Sequence, residues 1–232
     1  MMINRWHRRI AIASALVLAS TAITGILWAY APHLYFKDGY LQKKDAAPAK
    51  PLTAVNVEIG EALTTATNTF KTAKGLQSAV LRAEAGGLYY EVQRKEGKEQ
   101  SSVLIDAVSG EVVSPLSEAL ATQFAAQYVA GNPPVKKADA LTDYKHRSGK
   151  KIKSVYRIAF SAPGSPEIYI DRNAGQIVEE SDNARGFHFW VMKIHQLQFF
   201  GTKKELTIIP GLALVLLIVT GTLLWLRRYR AA

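Results

Sequence analysis

Hydrophobic positions along this chain follow three different patterns. Two uninterrupted apolar runs, Ile10–Ala31 (22 residues) and Leu206–Leu226 (21 residues), carry no charge. At about 1.5 Å per residue, each is long enough to cross a hydrocarbon core of roughly 30 Å. Residues 32–52 form a polar connector with Lys43, Lys44, Pro48 and Pro51 among alanines and no hydrophobic period. Residues 53–185 are amphipathic. Ile59, Ala62, Leu63, Ala66 and Phe70 recur at helical spacing, whereas Ala79–Ala85, Leu88–Arg94 and Ser101–Ile105 read as strands separated at Gly86-Gly87 and Glu96-Gly97.

This middle segment repeats itself. Glu61-Ala62-Leu63 opens one helix, and Glu118-Ala119-Leu120 opens another, after Ser114 as N-cap and Pro115 at the first helical position. Strands over Leu141–Lys145, Ser154–Ser161 and Glu167–Ile170 follow the second helix. Ile105-Asp106-Ala107-Val108-Ser109-Gly110-Glu111-Val112 matches Ile170-Asp171-Arg172-Asn173-Ala174-Gly175-Gln176-Ile177 at an offset of 65. An Asp followed four residues later by Gly suits a strand-ending turn, the carboxylate accepting backbone N–H bonds and the glycine supplying a positive φ. The same two aspartates could be taken as a catalytic pair, but their identical contexts favour the turn. The expected fold class is α+β: two tandem helix-plus-antiparallel-sheet units, 53–113 and 114–185, flanked by two transmembrane helices.

Charge sharpens the topology. Of the formal +10, Arg5, Arg8, Arg9, Arg227, Arg228 and Arg230 flank the apolar runs. Basic clusters beside spans mark the cytoplasmic side, so head 1–9 and tail 227–232 are expected inside, with spans at 10–31 and 206–226. Ala29-Tyr30-Ala31 resembles a cleavage site, but Pro32 follows it and the run is long for a signal core, which favours a retained anchor. Ala11, Ala15 and Ala19 form a small-residue stripe suited to the second span, to a copy in a dimer, or simply to lipid. Without the six arginines, 23 basic residues face 19 acidic ones; the densest basic run, Lys150, Lys151 and Lys153, suits a solvated turn better than a phosphate site, which argues against a nucleic-acid partner. The lack of cysteine excludes disulfides, thiolate metal sites and c-type haem attachment. Residues 186–205 bring Phe187, Phe189, Trp190, Phe199 and Phe200 to the outer border, as an interfacial belt does.

A unit with an early Glu-Ala-Leu helix, three strands and a closing Asp-x-x-x-Gly-x-Val/Ile resembles a PepSY domain, here twice in tandem. Trp6-His7-Arg8-Arg9 before a helix with Thr24-Gly25, and Ile194-His195 with Gly201, Thr220-Gly221 and Trp225, resemble segments of PepSY-associated transmembrane proteins. The resemblance implies a bacterial inner-membrane protein with a periplasmic domain. It also implies one of two functions. PepSY domains are associated with inhibiting or chaperoning peptidases, whereas the membrane proteins include ferric-siderophore reductases with b-type haem held by helix histidines. Those reductases have four or more spans, against two expected here.

On this resemblance the cofactor-binding candidates are His195, His7, His33 and His188, with His195 and His7 as iron ligands and haem b as the cofactor. A bis-histidine haem needs imidazoles facing each other across the ring. His188 and His195 are seven residues apart, hence on one helix face and unable to bracket one iron. A partner for His195 would be His33 or a second copy's His195, and His7, at the inner border, would serve a separate haem. Against this stand interfacial roles for all four, an exposed His146, and packing for Met192. No Gly-x-Ser-x-Gly, His-Glu-x-x-His or Gly-x-Gly-x-x-Gly occurs. No catalytic residue is therefore assigned, and electron transfer is the one chemistry left open. The expected function is a haem redox accessory in siderophore-linked iron acquisition, acting in the bilayer as a homodimer or within a larger complex, with a periplasmic protein or siderophore as partner. The alternatives are a tethered peptidase regulator and a structural subunit of a redox complex.

Overall fold

The computed structural model describes residues 2–34, 41, 50–146, 149–196 and 208–230. The chain divides into a helical unit, 1–38 with 184–232, and an α+β unit, 39–183. The expected α+β class is what the structure shows, with two antiparallel sheets.

The helical unit contains α1 (Met2–Ala29), α2 (Ala31–Leu34), α5 (Asn183–His195) and α6 (Ile208–Tyr229). Helix α1 begins within the basic head rather than at Ile10, because arginines are good helix formers. It is long and apolar enough to cross a membrane over Arg5–Ala29, and it packs against α6. Helix α6 spans the second apolar run except for Leu206 and Thr207, which lie outside the described residues, as do Phe199, Phe200 and Gly201.

In the α+β unit, α3 (Ile59–Phe70) precedes β1 (Leu76–Glu84), β2 (Gly87–Glu96) and β3 (Glu99–Asp106), which form the sheet β1-β2-β3. Helix α4 (Glu118–Ala126) precedes β4 (Val135–Lys145), β5 (Lys151–Phe160), β6 (Glu167–Asp171) and β7 (Ile177–Ser181), paired in that order. The apolar alternation of β2 and β3 explains their burial. Leu88, Tyr90, Val92, Val103 and Ile105 pack with Ala62 and Ala66 of α3, while Tyr89 and Leu104, on the opposite face, join Phe124, Ile158 and Ile168.

Four local expectations change. Ile59 is half exposed rather than on the packed face of α3. The N-cap of α4 is Ser117, which accepts from the Leu120 N–H, because Ser114 instead accepts from the Leu104 N–H and donates to the Asn173 carbonyl. The connector is tied at Leu41, which is buried and bridges to Val129. The fourth strand β7 was not anticipated. Its pairing of Ile177 with Ile170 repeats the Ile105–Val112 bridge of the first unit and then continues.

The signature turns are the same structure twice. Asp106 accepts from the N–H groups of Val108 and Ser109 at 2.8 and 2.9 Å, and Asp171 accepts from those of Asn173 and Ala174 at 2.7 and 2.9 Å. Gly110 and Gly175 donate back to the aspartate carbonyls at 2.9 Å, with φ of 78° and 64°. They differ in surroundings. A Cβ on Gly175 would stand 2.9 Å from Phe124 Cε2, whereas one on Gly110 would meet only Val57, at 3.4 Å.

Gly110→Ala should therefore cost the left-handed backbone penalty, about 1–2 kcal/mol, and Gly175→Ala a further ~1–3 kcal/mol of overpacking. Equal denaturation midpoints for the two variants would refute the packing argument. A second expectation concerns alkaline pH. On the outer face of the second sheet, burial followed by donation to Glu167 pushes the Tyr169 phenol up to about 12. Burial alone would raise the Glu167 carboxyl, but hydrogen bonds from Arg157 and Tyr169 outweigh it and hold that carboxyl below its ordinary value. The unfolded chain loses the tyrosine proton first. Stability is thus intact below the ordinary tyrosine value of 10.0 and declines as pH rises towards 12. Tyr169→Phe should flatten this decline in alkaline melts.

Candidate functional site

The helical unit brings two of the four candidate histidines onto threonines of another helix. His7, in the second turn of α1, places Nδ1 2.7 Å from Thr220 Oγ1 of α6. His195, the last residue of α5, places Nδ1 3.0 Å from the Thr21 carbonyl and 3.4 Å from Thr24 Oγ1, both on α1. In each case the residue after the threonine is glycine, and the imidazole lies over it. A Cβ on Gly25 would stand 3.2 Å from His195 Cε1, and one on Gly221 3.6 Å from His7 Cε1. The two Thr-Gly pairs are seats for rings.

The hydrogen-bond network orients both rings. Thr24 Oγ1 donates to the Ser20 carbonyl at 2.7 Å, and Thr220 Oγ1 donates to the Leu216 carbonyl at 2.7 Å. Each hydroxyl has one proton, so while it donates there it can only accept from an imidazole. The Thr21 carbonyl can only accept, which places a proton of His195 on Nδ1, and Thr220 offers the same acceptor to His7. Among the described residues neither Nε2 atom has a hydrogen-bond partner. Both histidines are half-buried, and Trp28 stacks on His195 with ring centroids 6.0 Å apart.

The two seats lie far apart. His7 and Thr24 are 17 residues apart on one continuous helix, about 26 Å along its axis, close to the thickness of a hydrocarbon core. A single chain thus presents one imidazole near each end of α1. No group of three or more potential metal ligands exists among the described residues.

The remaining candidates are placed differently. His33 is exposed on α2, and among the described residues no hydrogen bond or ring contact joins it to His195. His188 is half-buried two turns before His195 on α5, about 10 Å along the axis. The rest of α5 is aromatic and outward: Phe187 and Trp190 are exposed, and Lys193 Nζ lies 4.5 Å from the Phe189 ring centroid and 5.3 Å from that of Trp190. His146 sits in the α+β unit, 3.7 Å from a Glu179 carboxylate oxygen. On α1 it is Ser14 and Thr24 that are buried, while Ala15 and Ala19 are exposed, so the alanine stripe is not the packed face. Thr24 and Thr220 were visible in the sequence only as parts of a motif. The signal for their role was that both apolar runs carry Thr-Gly, each near a histidine-bearing border of the other helices.

No protein-family model matches the chain, and comparison with curated proteins gives no relative.

The Nδ1 proton is directly measurable. Selective 15N-histidine spectra of the purified protein should show a hydrogen-bonded Nδ1–H on His7 and His195, and Thr220→Val and Thr24→Val should each perturb one of them. Unprotonated Nδ1 signals for both would show that the rings are seated otherwise. Each interhelical bond should contribute about 0.6–1.7 kcal/mol to helix association.

Proposed function

We propose that this protein is an inner-membrane, PepSY-type b-haem redox accessory for siderophore-linked iron acquisition, with α1 and α6 as its spans and the α+β unit as its periplasmic domain. His195 and His7 would be ligands for an outer and an inner haem. The observation that carries the reading is the pair of rings with Nδ1 committed and Nε2 free. A ligating imidazole must be neutral and fixed in orientation, and donation from its second nitrogen to a carbonyl or hydroxyl achieves both. The residues present fit the group. Haem bound there would supply one-electron transfer.

The chain itself does the rest. Thr21, Thr24 and Thr220 hold the imidazole planes, Gly25 gives the His195 ring room, and Trp28 stacks on His195. Since the two histidines lie near opposite ends of α1, each would need a further imidazole, from another copy of the chain or, for His195, from His33. The exposed Ala15 and Ala19 favour such close helix approach. The arginines flanking both apolar runs support cytoplasmic termini. The outward aromatic face of α5 supports a place at the headgroup border.

The test is an absorption spectrum of the purified protein before and after dithionite, with iron determined alongside. Two shared sites predict sharp reduced b-type bands and about one haem per chain. His195→Ala and His7→Ala should each remove about half, and the double variant all of it. Full haem content in the double variant would overturn the assignment, and a featureless spectrum of the unaltered protein would favour a tethered interaction module.

A further inference from the structure

The α+β unit contains a cleft of about 680 Å³ between its two sheets, lined on one side by Gln100, Ser101 and Ser102 of β3 and on the other by Ile152, Lys153 and Ser154 of β5. One wall is an open strand edge, and the other is the beginning of an interior strand that runs past the end of its neighbour. Strand β3 is the last of its sheet, and Leu104 turns its N–H to Ser114 Oγ and its carbonyl to the Val113 N–H. Alternation along a strand then points the N–H and C=O of Ser102 and Gln100 the same way, out of the sheet. Among the described residues nothing pairs with them. In β5 the Ser154 carbonyl accepts from the Arg172 N–H on the β6 side, but β6 pairs only from Val155 onward, so Ile152 also presents its backbone to the cleft.

The charge around these edges is one-sided. Lys98, Lys150, Lys151 and Lys153 line the cleft against Glu99 and Asp171. Glu99 is engaged with Lys153 at 3.2 Å, and Asp171 is engaged by its own turn. Among the described residues, Lys98, Lys150 and Lys151 have no carboxylate partner. Lysines on an open edge discourage pairing with a neutral or basic strand. They favour a strand that carries carboxylates.

We infer that this cleft binds an extended acidic peptide segment, which adds as a strand to the open edge of β3 while its carboxylates meet Lys98, Lys150 and Lys151. A small polyanion would satisfy the lysines but leave the row of backbone groups unused. The inference is independent of the histidines.

The probe is a fluorescein-labelled (Val-Glu)4 peptide, titrated by anisotropy against the full-length protein in detergent. Controls are (Val-Lys)4 and a (Val-Glu)4 analogue N-methylated at alternate amides. The acidic peptide should bind, with affinity falling as salt is raised, and (Val-Lys)4 should not. N-methylation should weaken binding by at least about tenfold, as should Lys150→Glu combined with Lys151→Glu. Ser102→Pro removes an outward N–H and is tolerable on an edge strand. It should leave the melting temperature unchanged and weaken the peptide by a similar factor. No binding of (Val-Glu)4, or equal binding of its N-methylated analogue, overturns the proposal; the second result would indicate a site for anions alone.

Discussion

The α+β unit depends on how the buried carboxylate of Glu91 is satisfied. Glu91 is 3% exposed on the inner face of β2, a position that would cost several kcal/mol if the charge were left alone. Arg82 donates to one oxygen at 2.7 Å, and Gln93 and Gln176 donate to the other at 2.7 and 2.6 Å. Gln176 belongs to the second repeat, and Arg82 also donates to the carbonyl of Ala174 at 3.0 Å. The charge is balanced within the first sheet by Arg82, and the Asp171–Gln176 turn of the second adds a donor to the carboxylate and an acceptor for the guanidinium. Around it Gly175 closes against Phe124 and Leu104, and Ser114 links the edge of β3 to Asn173. These contacts tie the two repeats together at one joint.

The helical unit obeys the same rule with different groups. In apolar surroundings an imidazole is expensive unless its N–H is bonded. The threonines solve this by returning their own protons to carbonyls three and four residues back, which leaves an acceptor aimed outward from the helix. Glycine at position 25 removes a side chain that would crowd His195, whereas at position 221 a Cβ would make only ordinary contact with His7. The result is a contact that binds helices together and also orients each imidazole.

Much of this was legible in the sequence, and for identifiable reasons. The repeat could be read because the Asp-x-x-x-Gly turn constrains a carboxylate and a positive φ at fixed spacing, and both copies build the turn those residues require. The extents of α3 and β1–β3 followed from periodicity and glycine punctuation. Strand β7 did not, because Val178-Glu179-Glu180-Ser181 lacks an apolar alternation, and its pairing comes from continuing the bulged register past Ile170. The N-cap of α4 was misplaced because Ser114 and Ser117 both precede Glu118, and only tertiary contact from Leu104 and Asn173 decides between them. The histidine seats were half legible. Spacing separated His7 from His195 and stacked His188 with it, but which helix receives each ring is a matter of packing that no local pattern encodes.

The seats also constrain how any ligand could be gained or lost. The bond that orients His7 is the bond by which α1 holds α6, and the bonds that orient His195 are those by which α1 holds the end of α5. Ring orientation is therefore in place before a ligand arrives, so binding need not bear the entropy of ordering those side chains. The reverse also holds: a ligand that draws on the Nε2 lone pair strengthens the Nδ1–H donor, and with it the grip between helices. Helix packing and ring orientation are thus one equilibrium. A substitution that loosens the helices also frees the rings, and any group that bound only the oriented rings would stabilise the helices in turn.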